Sequence, residues 1–442
     1  MARIALALAA ALCAAAAPAK LVVMHGYADA TSALVWIQAD APGPIAVAWR
    51  PEGAAAERRV ELAAEREREN AVVARLDGLA PGGRASYRID GDGDVREGAV
   101  RAQPRVDDPG NPPAITIAIG SCYFLSDSDA PAERDRAFGA GYEIFDAIAA
   151  KRPDAMLWLG DNVYLRRHEY FDAAAMARRH RAQRAHPPLQ RLLTATAHLA
   201  IWDDHDYGPN NADARYVLKD EALRLFRLYW ANPSYGLPQA PGIFGRASVG
   251  DVDLVLLDDR YHRSPPQMAE EPGKSMWGAA QSAWLRATLR DLRGSVRLIA
   301  NGSQFWNAAS RYEGLYQYAR DQKALADFLL AERIDGLLFL SGDRHFGELL
   351  RVERPLAYPL YEFTSSPLTS QPWERPDARE RRNPQVVPGT LAGKRQFGLI
   401  RVTGPLDDRR IALEAYDQRG ELLWRHELRA RDLRFPAAKA AS

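Results

Sequence analysis

The segment ITIAIGSC, residues 115–122, joins a short apolar run to a glycine and two small side chains. An apolar run of this length that ends at a turn residue is typical of a strand buried on both faces. Runs of the same kind, mostly separated by helical stretches, follow at residues 155–160, 197–202, 252–257, 296–300 and 337–340. Alternation of buried strands with helices predicts an α/β layered domain.

Four of these predicted strands lead into residue types that bind metal ions or transfer protons. The first leads into GSC (120–122), and three others lead into GDNVY (160–164), WDDHD (202–206) and SGDRH (341–345). One such motif would be weak evidence, because a carboxylate after a strand often only caps a helix. Four motifs predict a shared site, since ligands in layered α/β folds bind beyond the carboxyl ends of the strands. The candidate residues of this site are Cys122, Asp161, Tyr164, Asp204, His205, Asp343 and His345.

The side-chain types in this set indicate a two-metal hydrolytic site. Thiolate, phenolate and carboxylate together favour an ion such as Fe(III), while further carboxylate and amide oxygens suit Ca²⁺, Mn²⁺, Mg²⁺ or Zn²⁺. A carboxylate can bridge two ions about 3.5–4 Å apart. The expected reaction is attack of a metal-bound hydroxide on phosphorus, with a nearby histidine protonating the leaving oxygen. The set therefore predicts hydrolysis of phosphate mono- or diesters.

In these motifs the sequence resembles the alkaline phosphatase D (PhoD-like) phosphatases, which are relatives of the purple acid phosphatases and metallophosphoesterases. The resemblance covers about residues 114–366 and rests on GSC, GDNVY, WDDHDYG and GDRH. It implies a four-layer α/β/β/α sandwich, preceded by the β-sandwich that is usual in the family. It also implies a phosphoesterase that uses Fe(III) and a second divalent ion.

The resemblance implies a role for most residues of the set. Cys122, Tyr164 and His345 would bind the Fe(III)-type ion, and Asp161 would bridge to the second metal. His205 would be the general acid or would stabilise the transition state, outside the shell of metal ligands. Tyrosinate bound to iron gives purple acid phosphatases their colour.

The second metal's ligands are less complete in this sequence. The resemblance places Asp204 and Asp343 there, but an isolated histidine ligand of the wider superfamily is missing. Asn301 is the nearest replacement, and an amide oxygen there would favour Ca²⁺ over Zn²⁺. The alternatives for this position are Gln304, Asn210 and Asn211.

Arg260 is a candidate for substrate binding. It follows the predicted strand at residues 252–257, and a guanidinium can grip a phosphate group with two hydrogen bonds. A salt bridge is an equally open interpretation of this residue.

Residues 20–104 have the pattern of a fibronectin III or immunoglobulin-like β-sandwich domain. Strand-like runs at residues 34–38 and 45–49 flank the turn cluster DAPGP. A leucine and a Pro-Gly turn precede Tyr87, and in such folds a tyrosine at this place packs at an interstrand corner. The predicted division of the chain is signal peptide 1–19, β-sandwich domain 20–104, linker 105–113, phosphatase domain 114–436 and tail 437–442.

The first 19 residues predict export. They contain Arg3, an apolar run at 4–12 and an alanine run before Pro18 that offers a cleavage site. We therefore expect a periplasmic or secreted protein without a transmembrane anchor. Removal of the signal leaves Cys122 as the only cysteine, and a spare thiol in an oxidising compartment is a liability unless it has a function such as metal binding. A buried, inert cysteine is the alternative interpretation.

Composition restricts the class of partner. The formal net charge is +1, from 58 basic and 57 acidic residues, so no global field attracts nucleic acid or an anionic membrane. We expect a monomer that acts on a small-molecule, lipid or nucleotide phosphate ester, without specific nucleic-acid recognition. Two alternatives stay open at this point: a phospholipase D-like phosphodiesterase, and a secreted β-sandwich binding protein with a structural metal site.

Overall fold

The computed structural model of the 442-residue chain describes residues 20–127 and 138–436. The predicted signal peptide and the predicted tail lie outside the described residues. Within the described ranges, no helix has the length and apolar character needed to span a membrane. The α-helices described there are Ile144–Ala150, Ala173–Ala185, Gln190–Ala195, Asp204–Tyr207, Lys219–Tyr229, Gly278–Asp291, Ala319–Ala331 and Ala378–Arg381.

Two antiparallel sheets near the N-terminus form a β-sandwich. Their strands are β1 Leu21–Ala28, β2 Ser32–Ala39, β3 Gly43–Pro51, β4 Arg58–Ala64, β5 Ala71–Asp77, β6 Arg84–Gly91 and β7 Asp94–Arg101. One sheet has the order β1-β2-β5 and the other β4-β3-β6-β7. Strand alternation places Val35, Ile37, Val47 and Ile89 between the sheets in a core of their own. Seven antiparallel strands in two packed sheets confirm the predicted fibronectin III or immunoglobulin-like sandwich.

The other face of the first sheet packs against the rest of the chain. Trp36 points out of the sandwich and into the main core. Its indole N–H donates to the Leu228 carbonyl at 2.7 Å, and Gln38 donates to the Tyr229 hydroxyl at 2.9 Å. The sandwich is thus held against the helix Lys219–Tyr229 by buried apolar and polar contacts.

Two six-stranded sheets form the larger part of the molecule. Their strands are β8 Ile115–Gly120, β9 Ala155–Leu159, β10 Ala197–Ile201, β11 Gly245–Val249, β12 Val252–Leu256, β13 Val296–Ala300, β14 Leu337–Ser341, β15 Glu348–Val352, β16 Leu360–Thr364, β17 Gln396–Thr403, β18 Arg410–Asp417 and β19 Leu422–Arg429. The strand orders are β10-β9-β8-β17-β18-β19 and β11-β12-β13-β14-β16-β15. Strands β8 to β10 are parallel to one another, as are β12, β13, β14 and β16. Every apolar run that predicts a buried strand forms one.

The two six-stranded sheets pack face to face. A side chain on Gly398 of β17 would place its Cβ 2.7 Å from the Phe363 ring of β16, so glycine permits the close approach of the sheets. The outer helices are amphipathic: Leu325 and Leu329 are buried in the helix Ala319–Ala331, while Lys323 is exposed. Helices therefore flank the paired sheets, which confirms the predicted α/β/β/α order of layers.

Candidate metal centre

The predicted site residues come from the carboxyl ends of strands in both six-stranded sheets. Cys122, Asp161 and Asp204 follow β8, β9 and β10, and Asp343 follows β14 in the facing sheet. The structure brings together one atom each from Cys122, Asp161 and His345, all within 4.8 Å of one another. A second group with the same spacing consists of Asp161, Asp204 and His205. Asp161 belongs to both groups.

Asp161 is the centre of this arrangement. Its Oδ2 accepts a hydrogen bond from the Tyr164 hydroxyl at 3.0 Å and lies 3.5 Å from the Cys122 Sγ. Its Oδ1 accepts from the backbone N–H of His205 at 3.2 Å. The Asp161 side chain is buried, with 1% of the residue exposed. Its Oδ2 faces Cys122 and Tyr164, and its Oδ1 faces His205.

The position and protonation of His345 are set by its neighbours. Its Nδ1 lies 2.7 Å from the Gln371 carbonyl oxygen. Because a carbonyl can only accept, Nδ1 carries the proton of the neutral ring and Nε2 keeps a lone pair. That Nε2 lies 3.1 Å from the Tyr164 hydroxyl, in the orientation that a metal-ligating histidine needs.

Four of the predicted residues have strained backbones. Their φ angles are 61° at Cys122, 52° at Asp161, 60° at Asp343 and 54° at His345. This left-handed conformation costs of order 1–3 kcal/mol at a residue other than glycine, and such strain is concentrated at functional sites. Surrounding contacts must hold these residues in place, and the Ser366 hydroxyl is one of them, since it lies 3.1 Å from the Cys122 Sγ.

Without a cation, the site is electrostatically unfavourable. Burial raises the pKa of Cys122 to about 12, and burial followed by the charges of Cys122 and Asp204 raises the pKa of Asp161 well above its ordinary value. Burial and the Asp161 charge likewise raise the pKa of Tyr164. Burial, more strongly than the Asp204 charge, raises the pKa of Asp343 to about 7. A metal ion would reverse these shifts by favouring the deprotonated ligands.

Two buried atoms of the site have no hydrogen-bond partner among the described residues. They are Oδ1 of Asp204 and Nδ1 of His205. A buried polar atom without a partner is costly, and a bound ion or substrate would satisfy it. The donor types, their spacing and these unpartnered atoms fit a pair of metal ions.

Asn301 is not brought to this site. Its Oδ1 accepts from the Trp277 indole N–H at 3.1 Å, and its Nδ2 donates to the Ser303 carbonyl at 2.8 Å. The expectation that its amide oxygen completes the second metal's ligands therefore does not fit the structure, because packing behind the site already uses that oxygen. Gln304 is also used elsewhere, since its Nε2 donates to Glu348 at 2.8 Å.

Arg260 is likewise engaged in the interior of the protein, away from the space where a substrate could bind. It is fully buried, its Nε donates to Asp203 at 2.7 Å and its Nη2 donates to Glu313 at 2.7 Å. The structure thus has the salt-bridge alternative rather than a phosphate grip. Asp203 directly precedes the helix Asp204–Tyr207, so Arg260 holds the start of the helix that carries the candidate ligand Asp204.

A cavity of about 800 Å³ opens over the metal-ligand groups. Asp161, Tyr164, His205, Asp343 and His345 line it. Much of the remaining wall is aromatic or basic and comes from residues that the sequence did not single out for binding, namely Phe124, Phe138, Arg166, Arg167, Tyr170, Arg311, Tyr312 and Trp373. Glu313, Gln317, Asn210 and Asn211 add acidic and amide side chains to it.

Sequence reasoning missed several residues of the site, and only one of them had a usable signal. Ser366 follows β16 in the run TSS, a strand end of the same kind as the GSC that follows β8. The Gln371 carbonyl and most of the rim side chains lie in loops, and no periodic pattern marks them. Arg344, which the sequence places between two candidate ligands as a residue that orients them, is buried and its Nη2 donates to Glu380 at 2.6 Å.

Known proteins share both the sequence pattern and the fold. The sequence model of the PhoD-like phosphatases matches residues 134–396. A solved structure of PhoD has a TM-score of 0.74 and 18% sequence identity, over 92% of this chain and 91% of that chain. A purple acid phosphatase isolated from yellow lupin (Lupinus luteus) seeds has a TM-score of 0.69 and 12% identity, over 96% of this chain and 78% of that chain. No curated protein sequence gave a match.

Proposed function

Because the chain belongs to the PhoD-like phosphatase family and is therefore a phosphoesterase, we propose that it cleaves phosphate mono- or diesters at a two-metal centre, after export from the cytoplasm. The membership of Asp161 in both ligand groups supports this proposal most directly. A carboxylate shared by two ions is the central element of a two-metal hydrolytic site. Export rests on the sequence of residues 1–19.

The proposed ligands divide between two ions. Cys122, Tyr164 and His345 would hold an Fe(III)-type ion, and Asp161 would be shared with a second, divalent ion. The remaining ligands of that second ion are Asp204, Asp343 and Asn210. Asn210 takes the place expected for Asn301, because it lines the cavity. Its Nδ2 donates to the Asn211 Oδ1 at 2.9 Å, and this bond does not use the Asn210 Oδ1. When bound, the ions activate the attacking water and neutralise charge on the phosphoryl oxygens.

His205 supplies the proton in this proposal. Its ring stacks on that of Tyr164 with centroids 4.2 Å apart, which fixes its orientation toward the cavity. Burial lowers the pKa of His205, while the Asp204 carboxylate acts in the opposite direction. In the reaction a water oxygen bonds to phosphorus and the ester P–O bond breaks. The leaving alcohol then takes a proton from His205, and the proton released by the water restores His205.

The proposed function is tested by metal analysis together with hydrolysis of a chromogenic phosphomonoester and the matching diester. We expect a purple protein with stoichiometric iron that hydrolyses at least one of the two esters. A chelator should remove this activity, and iron with a divalent ion should restore it. A colourless, iron-free and fully active preparation would refute the iron assignment, and hydrolysis of neither ester would refute the function.

His205→Ala is expected to slow hydrolysis of an alkyl phosphate by about 10²–10⁴-fold, the usual contribution of a general acid. Hydrolysis of a p-nitrophenyl ester should fall much less, because nitrophenolate leaves without protonation. Metal content should be unchanged, and His168→Ala, at an exposed histidine, is the matched control. Loss of metal would show that His205 is instead a ligand, and equal losses with both esters at unchanged metal content would show transition-state stabilisation instead of proton transfer.

A further inference from the structure

An open groove of about 500 Å³ lies beside the cavity. It is formed by residues 308–311 and 378–385, and we call it the arginine groove. Its charged lining residues are Arg311, Arg379 and Arg382, and no acidic side chain of the described residues lines it. The net charge of the whole chain is only +1, so this concentration of positive charge is local.

The arginine groove and the cavity over the metal centre share one lining residue. Arg311 lines both of them, and its neighbour Tyr312 lines the cavity. Tyr312 in turn packs on the Arg344 guanidinium, 4.8 Å from its ring centroid, and Arg344 lies between the candidate ligands Asp343 and His345. A substrate held at the metal centre can therefore extend past Arg311 into the groove.

The guanidinium groups of the groove lack anionic partners. In the described part of the chain, the side chains of Arg311 and Arg382 form no hydrogen bond and no ion pair within 4.0 Å, and Arg379 donates only to the Ala308 carbonyl, at 3.2 Å. By contrast, the buried Arg344 is paired with Glu380 at 2.6 Å. Arginines that the fold uses for stability are thus paired, whereas those of the groove are available.

Two acidic residues in or next to the second segment of the groove, Asp377 and Glu380, have partners of their own. Glu380 points inward to Arg344. The Asp377 Oδ1 caps the helix Ala378–Arg381 by accepting from the backbone N–H groups of Arg379, at 2.7 Å, and Glu380, at 3.1 Å. The largest cause of the lowered pKa of Asp377 is its bond to the Glu380 N–H, and Arg311 contributes less. Asp377 keeps its negative charge and offsets part of the positive charge of the three arginines of the groove.

Three like charges in one groove repel each other, and a bound anion removes that repulsion. The planar fork of a guanidinium matches the oxygens of a phosphate group. Resting on the proposed phosphoesterase activity, we propose that the arginine groove binds a second phosphate group of the substrate, beyond the ester that is cleaved. The preferred substrate is then a small bisphosphate or a chain of phosphodiesters.

The test compares two chromogenic substrates that share the cleaved bond. They are thymidine 5′-(p-nitrophenyl phosphate) and the same compound with a 3′-phosphate. The 3′-phosphate should raise kcat/KM by roughly tenfold, the effect of one good charge-assisted contact, and the advantage should shrink as salt is added. A third substrate, an oligothymidylate with the same p-nitrophenyl 5′ end, distinguishes a small bisphosphate from a chain of phosphodiesters as the preferred substrate. If kcat/KM for the oligothymidylate equals that for the 3′-phosphate compound, the preferred substrate is a bisphosphate. If it is higher, the preferred substrate is a chain of phosphodiesters.

Variants locate the second phosphate. In Arg311→Gln and in Arg379→Gln/Arg382→Gln, the ratio of kcat/KM with and without the 3′-phosphate should fall towards one. In Arg419→Gln, at an exposed arginine outside both cavities, the ratio should stay as in the wild type. Loss of the ratio in Arg167→Gln alone would place the phosphate elsewhere in the cavity and overturn the inference.

The outcomes also separate this inference from the function on which it rests. Equal hydrolysis of the two thymidine substrates by the wild type, or an unchanged ratio in the groove variants, would overturn the inference alone. Hydrolysis of neither thymidine diester by a protein that does hydrolyse the chromogenic phosphomonoester would also overturn the inference alone. Hydrolysis of none of the three would overturn the proposed function and the inference with it.

Discussion

Asp161→Asn is expected to abolish both metal binding and hydrolysis, while making the metal-free protein more stable. Asp161 is shared by the two ligand groups, so its loss removes a ligand from both ions. The activity should fall by more than the roughly 10²–10³-fold that removal of a single transition-state hydrogen bond costs. Asparagine is the suitable replacement, because it has the same shape and tolerates the left-handed φ of 52°.

The gain in stability follows from the pKa of Asp161. Burial and the neighbouring charges of Cys122 and Asp204 raise this pKa above its ordinary value of 3.8. Because the pKa of Asp161 is raised in the folded protein, its protonated carboxyl contributes fully to the free energy of unfolding below pH 3.8. This contribution is lost as the pH rises through the folded-state pKa. Within that window the loss is about 1.4 kcal/mol for each pH unit. Asparagine does not titrate, so the free energy of unfolding of the variant, relative to that of the wild type, should increase as the pH rises.

The measurements are metal content, kcat/KM and urea unfolding in the presence of a chelator at several pH values. Asp291→Asn is the matched control, because Asp291 is exposed and pairs with surface arginines. Retention of metal and activity in Asp161→Asn would contradict the bridging role. If Asp161→Asn destabilises the metal-free protein, the electrostatic argument is wrong. The metal content of the variant tests the ligand assignment separately.

Arg260→Met is expected to have the largest effect on folding, a loss of about 3–5 kcal/mol in the free energy of unfolding. Arg260 is fully buried and pairs with Asp203 and Glu313. Methionine fills much of the same volume but leaves both carboxylates buried without their cation. Removing one partner of a buried ion pair is more damaging than removing the pair.

Unfolding in urea measures this loss, and a double-mutant cycle tests its cause. Arg260→Met combined with Asp203→Asn should be less destabilised than the sum of the two single variants, because the two side chains interact directly. Arg260→Lys keeps the charge without the planar fork and provides a milder variant if the methionine protein does not fold. Wild-type stability together with a raised KM would instead restore the interpretation of Arg260 as a phosphate contact.

Together these variants separate residues that perform the reaction from residues that hold the site in place. Asp161 variants should lose function and retain the fold, whereas Arg260 variants should lose stability first. The two residues bind the same short segment, since Asp161 accepts a hydrogen bond from the His205 N–H and Arg260 binds Asp203, two residues earlier. Contrasting outcomes at such close range would be difficult to attribute to general disruption.

The sequence by itself determined the layered α/β fold and most of the candidate ligands. Both depend on local patterns: short apolar runs bounded by turn residues make buried strands, and parallel strands bring the residues after them to the same edge of a sheet. This is why Cys122, Asp161, Asp204 and Asp343, which lie far apart in the chain, could be assigned to one place from the strand pattern alone.

Only the tertiary structure decided which residues after the strands reach the cavity. Asn301 and Asp343 follow the neighbouring parallel strands β13 and β14, yet the Asn301 amide bonds to Trp277 behind the site and Asp343 lines the cavity. Arg260 is directed inward by Asp203 and Glu313, and the arginine groove combines two segments about 70 residues apart in the chain. A strand's direction follows from its own residues, but the direction of a loop side chain is set by partners that are distant in sequence.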